Sequence, residues 1–253
     1  MGKQNLNLLI LTATITPPEG ARNLARTDPK MRFEDYKKAF KFYLSSLKKN
    51  QISYLVFADN SNSDLTDLKV LCEQYNLTDR VELMSFQGLD YPPDYGRGYG
   101  EFKLIDYVME HSHLISQLPL EANIWKVTGR YILENLKDII KTRPSRADFY
   151  CHCRNIPMTW IDLYVLSWNQ KAYKNLLKNI CFLIREDSIT HSAEQAFRDI
   201  VDRHSSDLKI VKRFRTLPKL EGVRGFDNQT YQDMNIKFLF RKVSNILLPW
   251  LWI

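Results

Sequence analysis

Glycine, cysteine and long apolar runs are all scarce in this sequence. Only 9 of its 253 residues are glycine and 44% are apolar, which excludes low-complexity and extensively disordered chains. The four cysteines lack an export signal upstream, so we expect reduced thiols rather than disulfides. No stretch reaches the roughly 18–20 apolar residues that cross a bilayer. The first apolar run, residues 6–11, has the length of a buried strand, and we expect a protein on the cytoplasmic side.

Positive charge is in excess. The formal net charge is +7 and the isoelectric point is near 9.1. Such an excess suits nucleic acid, a phospholipid surface or a substrate that carries a pyrophosphate, and the sign alone does not choose among them.

Strand-like and helix-like segments alternate along the first third of the chain. Residues 6–11, 52–58 and 81–86 read as buried strands, and residues 33–49 and 65–75 read as helices. This alternation predicts a mostly parallel α/β sheet, in which ligands bind outside the carboxyl ends of the strands. Polar clusters at residues 12–14 and 59–64 follow two of these strands.

The later segments are read by the same patterns. Residues 102–118 look helical, residues 124–127 and 148–153 look like strands, and residues 160–183 look mostly helical. No linker or internal repeat divides the chain.

Two short segments combine glycine with cations. The first is Gly96-Arg97-Gly98-Tyr99-Gly100-Glu101 before a predicted helix, where glycines allow close approach of a ligand and a helix N-terminus attracts phosphate. It matches neither a Walker A loop nor G-x-G-x-x-G, and a structural turn explains it equally well. In the second, residues 125–131, Lys126 and Arg130 flank Gly129 at a strand end, where they would neutralise a diphosphate or simply be solvated.

The order of residues 12–15 (TATI), 57–64 (FADNSNSD), 96–101 (GRGYGE) and 125–131 (WKVTGRY) resembles bacterial glycosyltransferases of capsule and O-antigen clusters, which are related to the GT-A fold. The resemblance covers about residues 6–140 well and the remainder loosely. It implies a GT-A-like, Rossmann-type sheet flanked by helices.

The resemblance also implies a division of labour within one domain over residues 1–234. A nucleotide-sugar-binding part would cover about residues 1–140, and an acceptor-binding part about residues 141–234. By position, Thr12, Thr14 and Asp59 would hold the base and ribose of the nucleotide, and Arg97 and Glu101 would lie near the diphosphate.

The sequence departs from this family at the metal site. GT-A enzymes carry an Asp-x-Asp pair that binds Mn²⁺ or Mg²⁺ through the donor phosphates, whereas the comparable strand end here reads Lys126-Val127-Thr128-Gly129-Arg130. We therefore predict no metal ligands and no cofactor, with Lys126 and Arg130 in place of the cation.

An inverting transfer needs a carboxylate to deprotonate the acceptor hydroxyl. In the acceptor half, Glu194 lies in the first turn of a predicted helix and is our first candidate, with Asp162 second. Either one could instead be a helix-capping carboxylate. Arg224, in a loop near residue 225, would lie close to the phosphates if that loop closes over the donor.

Cys151-His152-Cys153 invites a zinc hypothesis. Alternation along a strand would place the two sulfurs on one face and His152 on the other. No second pair of ligands has zinc-finger spacing, so we expect no zinc site.

The C-terminal segment, residues 235–253, mixes Lys237, Arg241 and Lys242 with large apolar residues and ends in Pro-Trp-Leu-Trp-Ile. This composition predicts an amphipathic helix that anchors the protein on the inner face of the cytoplasmic membrane. The alternative is a C-terminal helix packed on the core.

The sequence therefore predicts a glycosyltransferase that moves a sugar from a nucleotide-sugar donor to a lipid-linked or growing surface-polysaccharide acceptor, with inversion. A UDP-linked donor is expected, UDP-galactofuranose being one candidate. Two other functions remain open: a catalytically idle scaffold on the membrane, and a basic nucleic-acid-binding protein. The scattered basic residues and the lack of a nucleic-acid-binding motif argue against the last.

Overall fold

The computed structural model describes residues 6–20, 24–204, 207–225 and 227–231, together with positions 239, 241, 243 and 244. The strands in this part of the chain are β1 (Asn7–Ala13), β2 (Tyr54–Asp59), β3 (Val81–Ser85), β4 (Asn123–Thr128), β5 (Ile132–Leu133), β6 (Phe149–Tyr150), β7 (Cys153–Arg154), β8 (Trp160–Ile161), β9 (Val165–Trp168), β10 (Ile210–Val211) and β11 (Leu220–Glu221). The α-helices are α1 (Pro29–Lys48), α2 (Thr66–Tyr75), α3 (Gly96–His111), α4 (His113–Ser116), α5 (Leu136–Thr142), α6 (Gln170–Ala172) and α7 (Ala193–Arg203). Short 3₁₀ turns cover Pro93–Tyr95 and Ile180–Leu183, and a π-helical turn covers Tyr173–Leu177.

Seven of the strands in the described part of the chain form the central sheet, in the order β10-β6-β9-β4-β1-β2-β3. β1 lies between β2 and β4 and is parallel to both, and β3 extends the parallel set. β9 runs antiparallel between β4 and β6, and β10 is parallel to β6. The sheet is thus parallel except for β9, which confirms the predicted α/β class with a mostly parallel sheet flanked by helices.

The sheet separates two apolar layers because successive side chains of a strand point to opposite faces. On β1, Leu8 and Ile10 join the layer that contains residues of α3 and α7. Leu9 and Leu11 join the layer that contains residues of α1 and α2. Both faces of β1 are therefore buried, which is why its sequence is continuously apolar.

α1 begins at Pro29, four residues before the predicted start. The Asp28 carboxylate accepts hydrogen bonds from the backbone N–H groups of Lys30 and Met31, and Pro29 occupies a first-turn position that needs no N–H partner. The Asp28 cap and Pro29 together set the N-terminal end of α1.

The prediction of a mostly helical segment over residues 160–183 was wrong for its first half. Trp160–Ile161 forms β8 and Val165–Trp168 forms β9, which lies buried between β4 and β6. A four-residue apolar run fits a buried strand and a buried helix equally well, and only the pairing with distant strands decides.

The N-terminal boundary of α3 also differs from the prediction. The helix begins at Gly96, so residues 96–101 form its first turns rather than a loop before it, and it ends at His111. The glycines that suggested a loop serve instead to bring the start of the helix close to its neighbours.

Cys151 and Cys153 lie with their sulfurs 3.7 Å apart, on one face as predicted, and all four cysteines are free thiols. Within the described ranges, no group of three or more histidine, cysteine, aspartate or glutamate side chains is placed to hold a metal ion.

The predicted C-terminal segment, residues 235–253, lies largely outside the described residues. Leu239, Arg241, Val243 and Ser244 are described and are helical. Across the described part of the chain, no helix has both the length and the hydropathy to span a membrane. The membrane anchor and the domain boundary near residue 234 stay predictions.

Candidate active site

A cavity of about 680 Å³ opens at the carboxyl ends of β1 and β4. This is the edge of a parallel sheet at which ligands usually bind. Its wall includes the first turn of α3, the start of α7 and loops from both ends of the described chain.

The cavity gathers eight of the ten predicted site residues, which come from six separate segments of the chain. They are Thr12, Thr14, Arg97, Glu101, Arg130, Asp162, Glu194 and Arg224. The other two, Asp59 and Lys126, are buried and do not form part of the lining.

Asp59 has its carboxylate fully engaged by neighbouring donors. Oδ1 accepts from the Ile15 N–H at 2.8 Å, and Oδ2 accepts from the N–H groups of Ser61 and Ser63 at 3.1 and 3.0 Å. The Ser61 hydroxyl donates to both oxygens. These contacts tie the loops after β1 and β2 together, and direct binding of a nucleotide by Asp59 stays a prediction.

Thr14 is held by an arginine that sequence reasoning missed. The Arg32 guanidinium donates to the Thr14 carbonyl through Nε at 2.8 Å and Nη2 at 2.6 Å, and it also contacts the Tyr36 hydroxyl. The Thr14 hydroxyl donates to Asn60 Oδ1 at 2.7 Å. Arg32 and Tyr36 are four residues apart on the buried face of α1, and the spacing of this arginine from the first tyrosine of the helix was the available signal in the sequence.

Glu101 and Lys126 form an ion pair at the base of the cavity. The Lys126 ammonium, which is 1% exposed, lies 2.5 Å from Glu101 Oε1. The same oxygen accepts from the hydroxyls of Thr12 at 2.8 Å and Thr128 at 3.2 Å. Burial alone would raise the pKa of Glu101, but Lys126 and these hydrogen bonds outweigh it and lower the pKa below its usual value. Glu101 is therefore a fixed anion.

The first turn of α3 forms one side of the cavity through Gly96, Arg97, Gly98 and Gly100. A Cβ on Gly98 would lie 2.5 Å from the Cβ of Ala193, and one on Gly100 would lie 1.9 Å from the Tyr91 hydroxyl. These two glycines therefore permit the contact of α3 with α7 and with the Tyr91 loop. The start of the helix lines the cavity with the partial positive charge of its dipole, and the Gly96 N–H is already bonded to the Pro93 carbonyl.

Arg130 and Arg224 add two further cations to the lining of the cavity. Arg130 donates to the Val223 carbonyl and the Tyr131 hydroxyl. Among the described residues it has no carboxylate partner, so its charge is available to an anion. Arg224 is paired with Asp227 and also donates to Gln229 Oε1 at 2.5 Å.

Asp162, the second candidate base, is buried among cations. Its Oδ1 pairs with Arg154 and accepts from the Trp160 indole N–H at 3.0 Å. Its Oδ2 accepts from the Tyr164 hydroxyl at 2.9 Å and lies 3.9 Å from Arg241 Nη2. Because donors contact both of its oxygens, we expect Asp162 to orient Arg154 and Arg241. Both arginines line the cavity and were missed because they come from distant segments.

Glu194 has a different environment. It follows Ser192, whose side chain caps α7 within a capping box, and it lies half-buried in the cavity wall. Burial raises the pKa of the Glu194 carboxyl, and nearby Arg97 only partly offsets this effect. A half-buried carboxyl group with a raised pKa is suited to accept a proton, so Glu194 stays the first candidate for the base.

Comparison with protein-family profiles and with curated proteins gave no match. Solved structures do match. The inositol-1-phosphate CTP transferase from T. maritima superposes with a TM-score of 0.50 and 14% identity, covering 97% of each chain. A protein from Desulfovibrio desulfuricans G20 assigned as a nucleotide-diphospho-sugar transferase gives 0.46 and 10%, covering 83% of this chain and 80% of the other. A 4-diphosphocytidyl-2C-methyl-D-erythritol synthase gives 0.44 and 8%, covering 97% and 100%.

At such low identities the similarity concerns the fold alone. The chain has the α/β fold of the T. maritima enzyme over almost its whole length.

Proposed function

We propose that this protein is a glycosyltransferase that uses a nucleotide-diphosphate sugar. One observation supports this function above the others. A carboxyl group with a raised pKa, Glu194, shares a single cavity with an arginine that lacks an acidic partner among the described residues, Arg130, and with the start of α3. A base, a free cation and a helix N-terminus are what sugar transfer from a diphosphate requires.

The proposed reaction uses these groups in one displacement. Glu194 accepts the proton of the acceptor hydroxyl as its oxygen forms a bond to the anomeric carbon. The bond between that carbon and the donor phosphate oxygen breaks, and the nucleoside diphosphate leaves with its electron pair. Arg130, Arg97 and the N–H groups at the start of α3 stabilise the charge that develops on the leaving diphosphate.

The end of β4 does not fit a divalent cation. The Lys126 ammonium is fixed there beside Glu101, and residues 126–130 carry the Thr128 hydroxyl but no acidic pair. No step of the proposed reaction therefore runs through a metal. We expect activity to survive EDTA, and loss of activity in EDTA with recovery in Mn²⁺ would contradict this assignment.

A second candidate function is nucleotidyl transfer, which the name of the T. maritima enzyme suggests through the shared fold. The two reactions release different products. Glycosyl transfer releases a nucleoside diphosphate from a nucleotide sugar. Nucleotidyl transfer joins a sugar phosphate to a nucleoside triphosphate, which releases pyrophosphate.

The test offers both substrate sets to the purified protein and measures both products. Release of UDP from UDP-sugars, increased by glycan acceptors and lost in Glu194→Gln, supports glycosyl transfer. Release of pyrophosphate from CTP or UTP with a sugar phosphate supports the second candidate instead.

We further propose that the acceptor is a lipid-linked or growing surface glycan. The support is the resemblance of residues 6–140 to capsule and O-antigen glycosyltransferases, together with the basic, tryptophan-ended composition of residues 235–253.

A further inference from the structure

The two oxygens of the Glu101 carboxylate have different surroundings. Oε1 receives all of its contacts, from Lys126, Thr12 and Thr128. Oε2 has no hydrogen-bond partner among the described residues, and the side chain is 22% exposed in the cavity wall. A carboxylate with one oxygen fully satisfied and the other open has acceptor capacity left for a ligand.

The charge of Glu101 limits what that ligand presents. The carboxylate is held ionised by Lys126, so Oε2 only accepts hydrogen bonds. A phosphate or a carboxylate placed against it would be repelled, and the cationic groups suited to phosphate are Arg97, Arg130 and the start of α3. The group that meets Oε2 is therefore an uncharged donor such as a hydroxyl.

Glu101 is also poorly suited to act as the general base that accepts a proton from the acceptor. Its pairing with Lys126 makes it a weaker base than Glu194, so proton abstraction is assigned to Glu194. The Lys126 pair thus has a positioning role: it fixes the orientation and the charge of Glu101.

We propose that Glu101 selects the donor sugar. This inference rests on the proposed function. Oε2 accepts hydrogen bonds from hydroxyls of a neutral sugar, and its negative charge excludes sugars that carry a carboxylate or phosphate at that position. The substrate class is a nucleotide diphosphate linked to an uncharged, hydroxyl-bearing sugar.

The experiment measures the binding of UDP, UDP-glucose, UDP-galactose and UDP-glucuronate by calorimetry. We expect the wild-type protein to bind a neutral UDP-sugar more tightly than UDP-glucuronate. In Glu101→Gln the affinity for UDP should persist, while the preference for the neutral sugar falls about 10- to 100-fold, the range for a hydrogen bond to a charged group. Glu110→Gln is the matched control, since Glu110 lies on α3 but pairs with Lys178 instead.

Glu101→Gln leaves the Lys126 ammonium buried beside a neutral amide, which could prevent folding. The double variant Glu101→Gln/Lys126→Met removes both charges and should show the same loss of preference. If the wild-type protein binds UDP-sugars, and neither variant changes the ratio of the affinities for neutral and acidic UDP-sugars, Glu101 does not select the sugar. A wild-type protein that binds none of the four ligands overturns the proposed UDP-sugar function itself, and this inference with it.

Discussion

The surroundings of two glutamates in the cavity shift their pKa values in opposite directions. Glu101 is fixed by Lys126, which lowers its pKa, and Glu194 is half-buried at the start of α7, which raises its pKa. Carboxyl groups with separated pKa values can take separate tasks in one reaction. Here Glu101 is held as an anion, and Glu194 is the proposed group that exchanges a proton.

We predict that Glu194→Gln lowers kcat by about 10²- to 10⁴-fold, the usual contribution of a general base. The wild-type rate should rise with pH as Glu194 loses its proton, and this rise should vanish in the variant. A pH–rate profile of wild type and variant checks both statements. An unchanged profile would assign the base to another residue.

The Glu194→Gln substitution should also change how the stability of the protein depends on pH. Because burial raises the pKa of Glu194, the folded state holds the proton more tightly than the unfolded state does, and this contribution to stability is lost as pH rises. The glutamine amide does not titrate. The Tm of the variant relative to wild type should therefore increase as pH rises from about 4 towards neutrality.

His152 makes acid unfolding a second testable property. The ring is buried and stacked on Phe214, and its Nδ1 accepts from the Phe214 N–H at 3.3 Å. Burial, reinforced by Arg241, Arg154 and Arg213, lowers the pKa of His152 to about 4, although Asp162 opposes it. Below about pH 6.5 His152 binds a proton in the unfolded chain but not in the folded chain. The free energy of unfolding therefore falls as pH falls from about 6.5 to 4.

We predict that His152→Asn removes this dependence, since asparagine keeps an acceptor near Phe214 and does not titrate. The free energy of unfolding of wild type relative to the variant should drop by about 2 kcal/mol between pH 7.5 and pH 5. Urea denaturation at the two pH values measures it. An equal drop in both proteins would show that His152 titrates normally.

At the site, the sequence predicted residues near strand ends and helix starts to lie in one region, and the roles of these residues stay predictions. Thr12, Arg97 and Glu194 are such residues, and all three line the cavity. The sequence alone could not predict that Lys126 forms a buried ion pair with Glu101, because this pair depends on the distance between β4 and α3. Arg154 was missed for the same reason, since its partner Asp162 lies across a hairpin.

At the scale of elements, α3 and α7 meet through small residues at their first turns. Gly98 lies against Ala193, and a Cβ on Gly98 would come within 2.5 Å of the Ala193 Cβ. Because Arg97 and Glu194 are the adjacent residues, this contact sets the distance between a cation and the proposed base.

We predict that Gly98→Ala destabilises the protein by about 1–3 kcal/mol, the usual cost of overpacking, and lowers kcat by moving α3 away from α7. The double variant Gly98→Ala/Ala193→Gly moves the methyl group across the contact and should recover most of both losses. Chemical denaturation and steady-state kinetics of the three proteins test this. Additive losses in the double variant would show that the contact is not limiting.

Most of the first three strands and two helices were predictable, because each carries a long apolar pattern of its own. β9 was not, since residues 165–168 are too few for periodicity to distinguish strand from helix and their conformation depends on β4 and β6. The start of α3 was missed because glycines at residues 96, 98 and 100 usually indicate a loop, whereas here they permit close packing.

For the whole molecule, an anionic membrane surface is one of the partners that the excess of positive charge suits, and the composition of residues 235–253 favours it. We predict that the full chain binds anionic liposomes at low salt and that Lys237→Glu/Lys242→Glu weakens this binding. Point variants are preferable to truncation, because Arg241 lines the cavity and its loss would alter the site. Lys48→Glu/Lys49→Glu, an equal charge change at the exposed end of α1, is the control. Equal effects of the two pairs would indicate a general charge effect rather than an anchor.

The cavity is closed by segments that are separated by about two hundred residues. The N–H groups of Ala25 and Arg26 donate to the Gly225 carbonyl at 2.9 and 3.3 Å. During synthesis, β1, β2 and β3 can pair early, but the wall that carries Arg130 and Arg224 is complete only after residue 225 has left the ribosome. A chain that ends before residue 225 therefore lacks this wall, so the cavity proposed to bind the donor is completed only late in synthesis.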